Sequence, residues 1–125
     1  MSKFVCHCGH VISDVEYPSP VSGSILTEKA IARLIAASAK ELADLLHHSA
    51  ESRKEWVRSR FGDGYPADAS DTEILEDLLA QQIQLLSYST IRCDLCGRLH
   101  VQTQPGSNDY QSFIPEQVSR TSANE

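Results

Sequence analysis

Hydrophobic and polar positions change rhythm along this chain, and the changes divide it into two kinds of structure. Lys3–Val5 and Val11–Ser13 are short, partly β-branched arms on either side of Cys6-His7-Cys8-Gly9, which predicts a hairpin with those four residues as its turn. Tyr17-Pro18-Ser19-Pro20-Val21-Ser22-Gly23-Ser24 places two prolines among serine and glycine and predicts a loop that ends the hairpin. Helical spacing then takes over. Ile31, Leu34, Ile35, Leu42, Leu45 and Leu46 form one stripe, Ser38 fills its gap, and Thr27 followed by Glu28 supplies a cap. A long amphipathic helix is expected from Thr27 to Ser49. Ala50 to Phe61 continues it or forms a second, angled helix with Trp56, Val57 and Phe61 on one side, and Phe61-Gly62-Asp63-Gly64-Tyr65-Pro66 stops it.

Ser70-Asp71-Thr72-Glu73 reads as a capping box. Behind it Ile74, Leu75, Leu78, Leu79, Ile83, Leu85 and Leu86 cover a wide apolar arc, with Gln81, Gln82 and Gln84 between them, so a helix is expected from Asp71 to Ser87. Strand composition returns in Tyr88–Arg92 and Leu99–Thr103, which flank Cys93-Asp94-Leu95-Cys96. Pro105–Asn108 is a turn, and Asp109–Pro115 is a last apolar segment able to pair with the sheet. Residues 116–125 are polar and expected to fray. The expected fold class is α+β in a single domain over 1–125, with strands from both chain ends and a segment of two to three helices, about 27–87, inserted between them.

A chain of 125 residues, 41% hydrophobic, can build one modest core. No stretch approaches the roughly 18 to 20 apolar residues of a membrane span. Met1–His7 carries one lysine and no apolar h-region, from which a cytoplasmic location is expected. Stable disulfides are disfavoured there, although four cysteines would permit three connectivities. The net charge of -6, from 11 basic and 17 acidic residues, counts against holding nucleic acid by phosphate neutralisation alone. Charge is also unevenly placed: Asp63, Asp68, Asp71, Glu73, Glu76 and Asp77 form an acidic run without a base, just after Arg53, Lys54, Arg58 and Arg60. Dipole complementarity at helix ends accounts for much of both blocks. The acidic run is nonetheless the candidate surface for a partner.

The cysteines carry the strongest chemical signal. Cys93 and Cys96 are two residues apart with Gly97 directly after them, a spacing that wraps a tight turn and points two thiolates at one metal. Cys6, Cys8 and Gly9 do the same with one residue fewer. Four thiolates are a preferred donor set for structural Zn2+. His7, His10 and His100 lie close enough in sequence to replace a cysteine, His10 first among them, and a metal-free arrangement stays open as well. Arg92 and Arg98 are expected beside the negatively charged site as supporting partners. At these residues the chain resembles the zinc-ribbon family, in which two knuckles on β-hairpins share one metal. That resemblance covers Lys3–Ser13 and Tyr88–Thr103 and speaks to metal binding, not activity. Residues 9–92 separate the two knuckles, far more than the roughly 15 to 20 of a simple zinc site, so the ribbon is expected to carry the helices as an insertion.

Function is less explicit. A catalytic zinc needs an open position and a nearby general base, and neither a His-Glu-x-x-His nor a His-x-Glu motif is present. Cys93-Asp94-Leu95-Cys96 as a redox dithiol would normally open a helix, whereas strand composition follows it here. A non-enzymatic protein-binding module is therefore expected. The layout as a whole, a Cys-x-Cys-Gly start, an acidic helical middle, a Cys-x-x-Cys-Gly-Arg-Leu finish and a Ser-Phe-Ile-Pro-Glu tail, is similar to small bacterial proteins found beside toxin genes as presumed immunity proteins. The resemblance implies one protein partner, a cationic toxin in its sharpest form. The alternative is a nucleic-acid-binding or transcription-linked zinc ribbon using Arg53, Lys54, Arg58, Arg60, Arg92 and Arg98, with Trp56 for stacking. A metal or redox sensor is a third, and the apolar face of the first helix could equally serve as a dimer seam.

Overall fold

The computed structural model describes residues 3–116, and over them the chain is α+β, with three helices and two small antiparallel sheets. Strands β1 (Lys3–Val5) and β2 (Val11–Ser13) form a hairpin that sets Phe4 opposite Ile12. Strands β3 (Ser22–Ile25), β4 (Tyr88–Arg92), β5 (Leu99–Gln102) and β6 (Tyr110–Phe113) lie side by side in that order in the second sheet. Helices α1 (Glu28–Leu46), α2 (Ala50–Phe61) and α3 (Asp71–Leu86) all fall between β3 and β4 in the chain. The chain divides into two compact units: the strands of both ends, up to Ile25 and from Tyr88 onward, and the helices, Leu26–Ser87. The expected fraying beyond Glu116 lies outside the described residues.

Local chemistry explains the helix ends. Thr27 Oγ1 accepts the Ala30 N–H at 3.1 Å and starts α1. That helix stops at Leu46 instead of running to Ser49, because the Ser49 hydroxyl accepts the Ser52 N–H and caps a separate α2. Gly62, at φ 90°, closes α2 and returns its N–H to Arg58 O at 2.8 Å. The capping box at Ser70 and Glu73 is formed, with both reciprocal hydrogen bonds present. Between these helices Leu45, Trp56, Val57, Ile74 and Leu78 make a core, to which Phe61, Tyr65, Ala69 and Leu75 add partly covered surface. Trp56 Nε1 donates to Asp44, and the Arg60 guanidinium lies 4.2 Å over the ring while gripping Glu41 through two nitrogens.

The expected loop at Tyr17–Ser24 is only partly a loop, since β3 starts within it. Ser22, Gly23, Ser24 and Ile25 are all exposed, so no apolar alternation marks them as a strand. What admits the strand is Gly23, opposite Thr90: a Cβ there would lie 3.0 Å from Thr90 Oγ1. Ser112 in β6 stands directly opposite His100 in β5, a pairing that matters for the cysteines.

Candidate metal centre

The two knuckles are built by the same backbone device at different lengths. In the first, Cys6 N–H donates to His10 O and Gly9 N–H to Cys6 O, both at 2.9 Å. In the second, Cys93 N–H donates to Arg98 O at 2.8 Å and Gly97 N–H to Cys93 O at 2.9 Å. Gly9 and Gly97 take φ of 92° and 81°, the left-handed region that side chains disfavour. The shorter first knuckle thus closes as completely as the second. Its missing residue does not prevent both sulfurs from being presented.

All four sulfurs, of Cys6, Cys8, Cys93 and Cys96, lie within 4.8 Å of one another, and the group can hold a metal ion. Cys6 Sγ is 3.6 Å from Cys96 Sγ, and Cys8 Sγ is 3.7 Å from Cys93 Sγ. A disulfide would need about 2.05 Å, and the four cysteines are free. The spacing instead matches the edge of about 3.8 Å of a thiolate tetrahedron with metal–sulfur bonds of about 2.3 Å. Cys6 and Cys93 are buried, Cys96 is half-buried and Cys8 is exposed, so the cluster meets solvent on one side. Ile12 shares its core, and Phe4, Val21 and Ile91 pack around it.

Charges at the sulfurs are set by their neighbours. The Arg98 backbone N–H draws the Cys96 thiol down to about 6, assisted by hydrogen bonds with Cys6, the Arg98 side chain and Cys93. At Cys8 the His10 backbone N–H pulls the same way, but desolvation and the other three sulfurs prevail and push that thiol up to about 11. Four thiolates this close repel one another, so without a cation the protons divide unequally; a bound cation removes the conflict.

The three candidate histidines have other work. His100 is fully buried, with Nε2 3.3 Å from Cys6 Sγ and Nδ1 2.7 Å from Ser112 Oγ. Donation from Nε2 to the sulfur leaves Nδ1 to accept from the hydroxyl. Burial, then the electrostatic influence of His7 and Arg98, lower its pKa and so favour the neutral ring. His10 Nε2 reaches Asp94 Oδ1 at 2.9 Å and ties one knuckle to the other. His7 stacks at 6.1 Å on His100. Of the two expected arginines, Arg98 approaches Cys96 Sγ at 3.5 Å, whereas Arg92 is exposed on β4 and makes no hydrogen bond to the sulfurs among the described residues.

A family model for a domain of unknown function (DUF8617) matches residues 2–117. The chain belongs to that family. Neither a curated protein nor a solved structure matches this DUF8617 chain. No described helix is long and apolar enough to cross a membrane.

In the helical unit of the DUF8617 domain the six candidate acids do not form one free patch. Asp71 pairs with Arg53 at 2.7 Å, Glu73 serves the capping box, and Asp77 accepts from Tyr65 Oη at 2.5 Å. Burial, then Asp77 and Glu73, push the Tyr65 phenol up to about 12. Asp63 stands 3.6 Å from Arg58, both well exposed. Asp68 and Glu76 are exposed and have no partner among the described residues. The stacking residue of the nucleic-acid reading, Trp56, is 5% exposed and covered by Arg60. The apolar face expected on the first helix is uncovered and extends to the third: α1 and α3 leave Ile31, Ile35, Leu42, Leu79 and Ile83 each more than a third exposed.

Proposed function

We propose that Cys6, Cys8, Cys93 and Cys96 hold a structural zinc ion on two zinc-ribbon knuckles, and that the protein is a non-enzymatic, cytoplasmic binding module whose helical unit engages one protein partner. Four thiolate ligands close the coordination sphere, which leaves zinc no position for substrate or water. The observation that carries the binding reading is the exposed apolar row on α1 and α3. Ile31, Ile35 and Leu42 recur at helical spacing on α1, and Leu42 lines a shallow groove of about 210 Å³ with Leu75, Leu79 and Gln82 of α3. Apolar surface of this kind suits a protein interface.

The partner in this reading is a cationic toxin, which the protein neutralises as an immunity protein. Acids outnumber bases over residues 26–87, and exposed Asp63, Asp68 and Glu76 strengthen the negative field. A field acts at a distance, so acids engaged in local pairs still add to steering when those pairs are incomplete. The test is co-expression of the tagged chain with the product of the adjacent gene, followed by calorimetry. Binding at micromolar concentration or tighter, with an association rate that falls as salt rises, is expected; no complex would sink the immunity reading. Leu42→Asp should abolish the complex without changing metal content.

A further inference from the structure

A cavity of about 440 Å³ opens within the helical unit, between α2, the connection from Gly62 to Ser70 and the start of α3. Its volume falls in the range of roughly 300 to 1,000 Å³ typical of small-molecule sites. Val57 and Ile74, both core residues, form apolar wall. Arg53, Lys54 and Arg58 line it from α2, against two acids, Asp63 and Asp71.

The bases are incompletely used. Arg53 gives Nη1 to Asp71, while its Nε is buried without an acceptor. Arg58 Nε stands 3.6 Å from Asp63 Oδ1, too far for a hydrogen bond, between side chains 59% and 93% exposed. Lys54 has no partner among the described residues. The start of α3 adds to this. Ser70 takes the Glu73 N–H, but the first N–H groups of the helix, at Asp71 and Thr72, have no acceptor within it.

We propose that this cavity binds a small organic anion, a carboxylate or phosphate group carried on an apolar body. The anionic group lies by Lys54 and Arg58 within reach of the start of α3, and the body covers the exposed apolar lining, Ala50, Pro66 and Ala67. A bare anion would leave that lining in water; a neutral apolar molecule would leave the cationic side unmatched. The cavity is lined by none of the four cysteines and by none of the residues of the apolar row on α1 and α3, so it neither needs nor supports the partner reading.

The experiment is a 1H–15N NMR titration of the full, metal-loaded chain with benzoate, phenyl phosphate, inorganic phosphate and benzyl alcohol. Saturable shifts with benzoate or phenyl phosphate at the amides of Arg53, Tyr65, Asp71 and Thr72 are expected, and the tighter of the two identifies the head group. Lys54→Gln with Arg58→Gln should weaken that binding by roughly tenfold or more at unchanged melting temperature. If the double variant melts lower, each single substitution should still weaken binding several-fold. The proposal is overturned by the absence of saturable shifts at millimolar concentration, by benzyl alcohol binding as well as benzoate, by inorganic phosphate binding as well as phenyl phosphate, or by wild-type affinity in the variants.

Discussion

Cys6 Sγ faces His100 Nε2, and the ring is held from its other side by Ser112 across the β5–β6 pair. A thiolate supported in this way keeps its charge and its direction when it binds a metal. Replacing His100 by Phe keeps a ring against Phe4, now 4.6 Å away, and removes the donor. Zinc affinity, measured by chelator competition, should fall about 10- to 100-fold. Cys93→Ser goes further, because Cys93 is fully buried and is one of the four cysteines proposed to hold the metal. Metal analysis should show loss of zinc, and the melting temperature should fall by more than about 10 °C; an unchanged melting temperature would contradict a structural metal. The cysteine set was legible in the sequence because spacing and a following glycine are local features. His100 read as a spare ligand, since its partner Ser112 emerges only from the register of two strands that sequence spacing does not reveal.

Each helix begins where a hydroxyl can cap it, and that is why the helical segment could be read with little error. The capping box at Ser70 is sequence-local, and Ser70→Ala should lower stability by about 1 kcal/mol in chemical denaturation. The break after Leu46 was harder to place, as Ser49 reads equally as one more polar position or as a cap. Strand β3 was missed for a different reason. Four exposed residues rich in serine and glycine carry no period, and their place is decided by β4, far along the chain. Gly23→Ala should therefore destabilise by about 1 to 3 kcal/mol through crowding against Thr90, and Thr90→Ala in the same chain should recover part of the loss. Full additivity of the two substitutions would show that they do not meet.

At the scale of the whole chain, metal and tryptophan report on different units. Trp56, the one tryptophan, sits in the helical core, while the four cysteines belong to the strand unit. Chelation of the metal should disrupt the strand unit, seen as faster hydrogen exchange in β1 and β4, while Trp56 fluorescence holds its folded emission maximum. A shift to the emission of exposed indole on chelation would mean that the helices depend on the metal as well. The division into strand ends and inserted helices was foreseeable from the distance between the cysteine pairs, whereas which surfaces stay uncovered was not, because amphipathic spacing marks an apolar stripe without saying what meets it. The register of β3 against β4 has one more consequence. Ile25 and Tyr88 are paired across adjacent strands, so the chain leaves the sheet and rejoins it at neighbouring points. Residues 26–87 thus occupy the position of a hairpin turn, and an Asn-Gly turn is able to join the same two strands. A shortened chain made in this way should still bind one zinc ion, making the helices a removable cassette and the strand unit a minimal metal-binding protein in its own right.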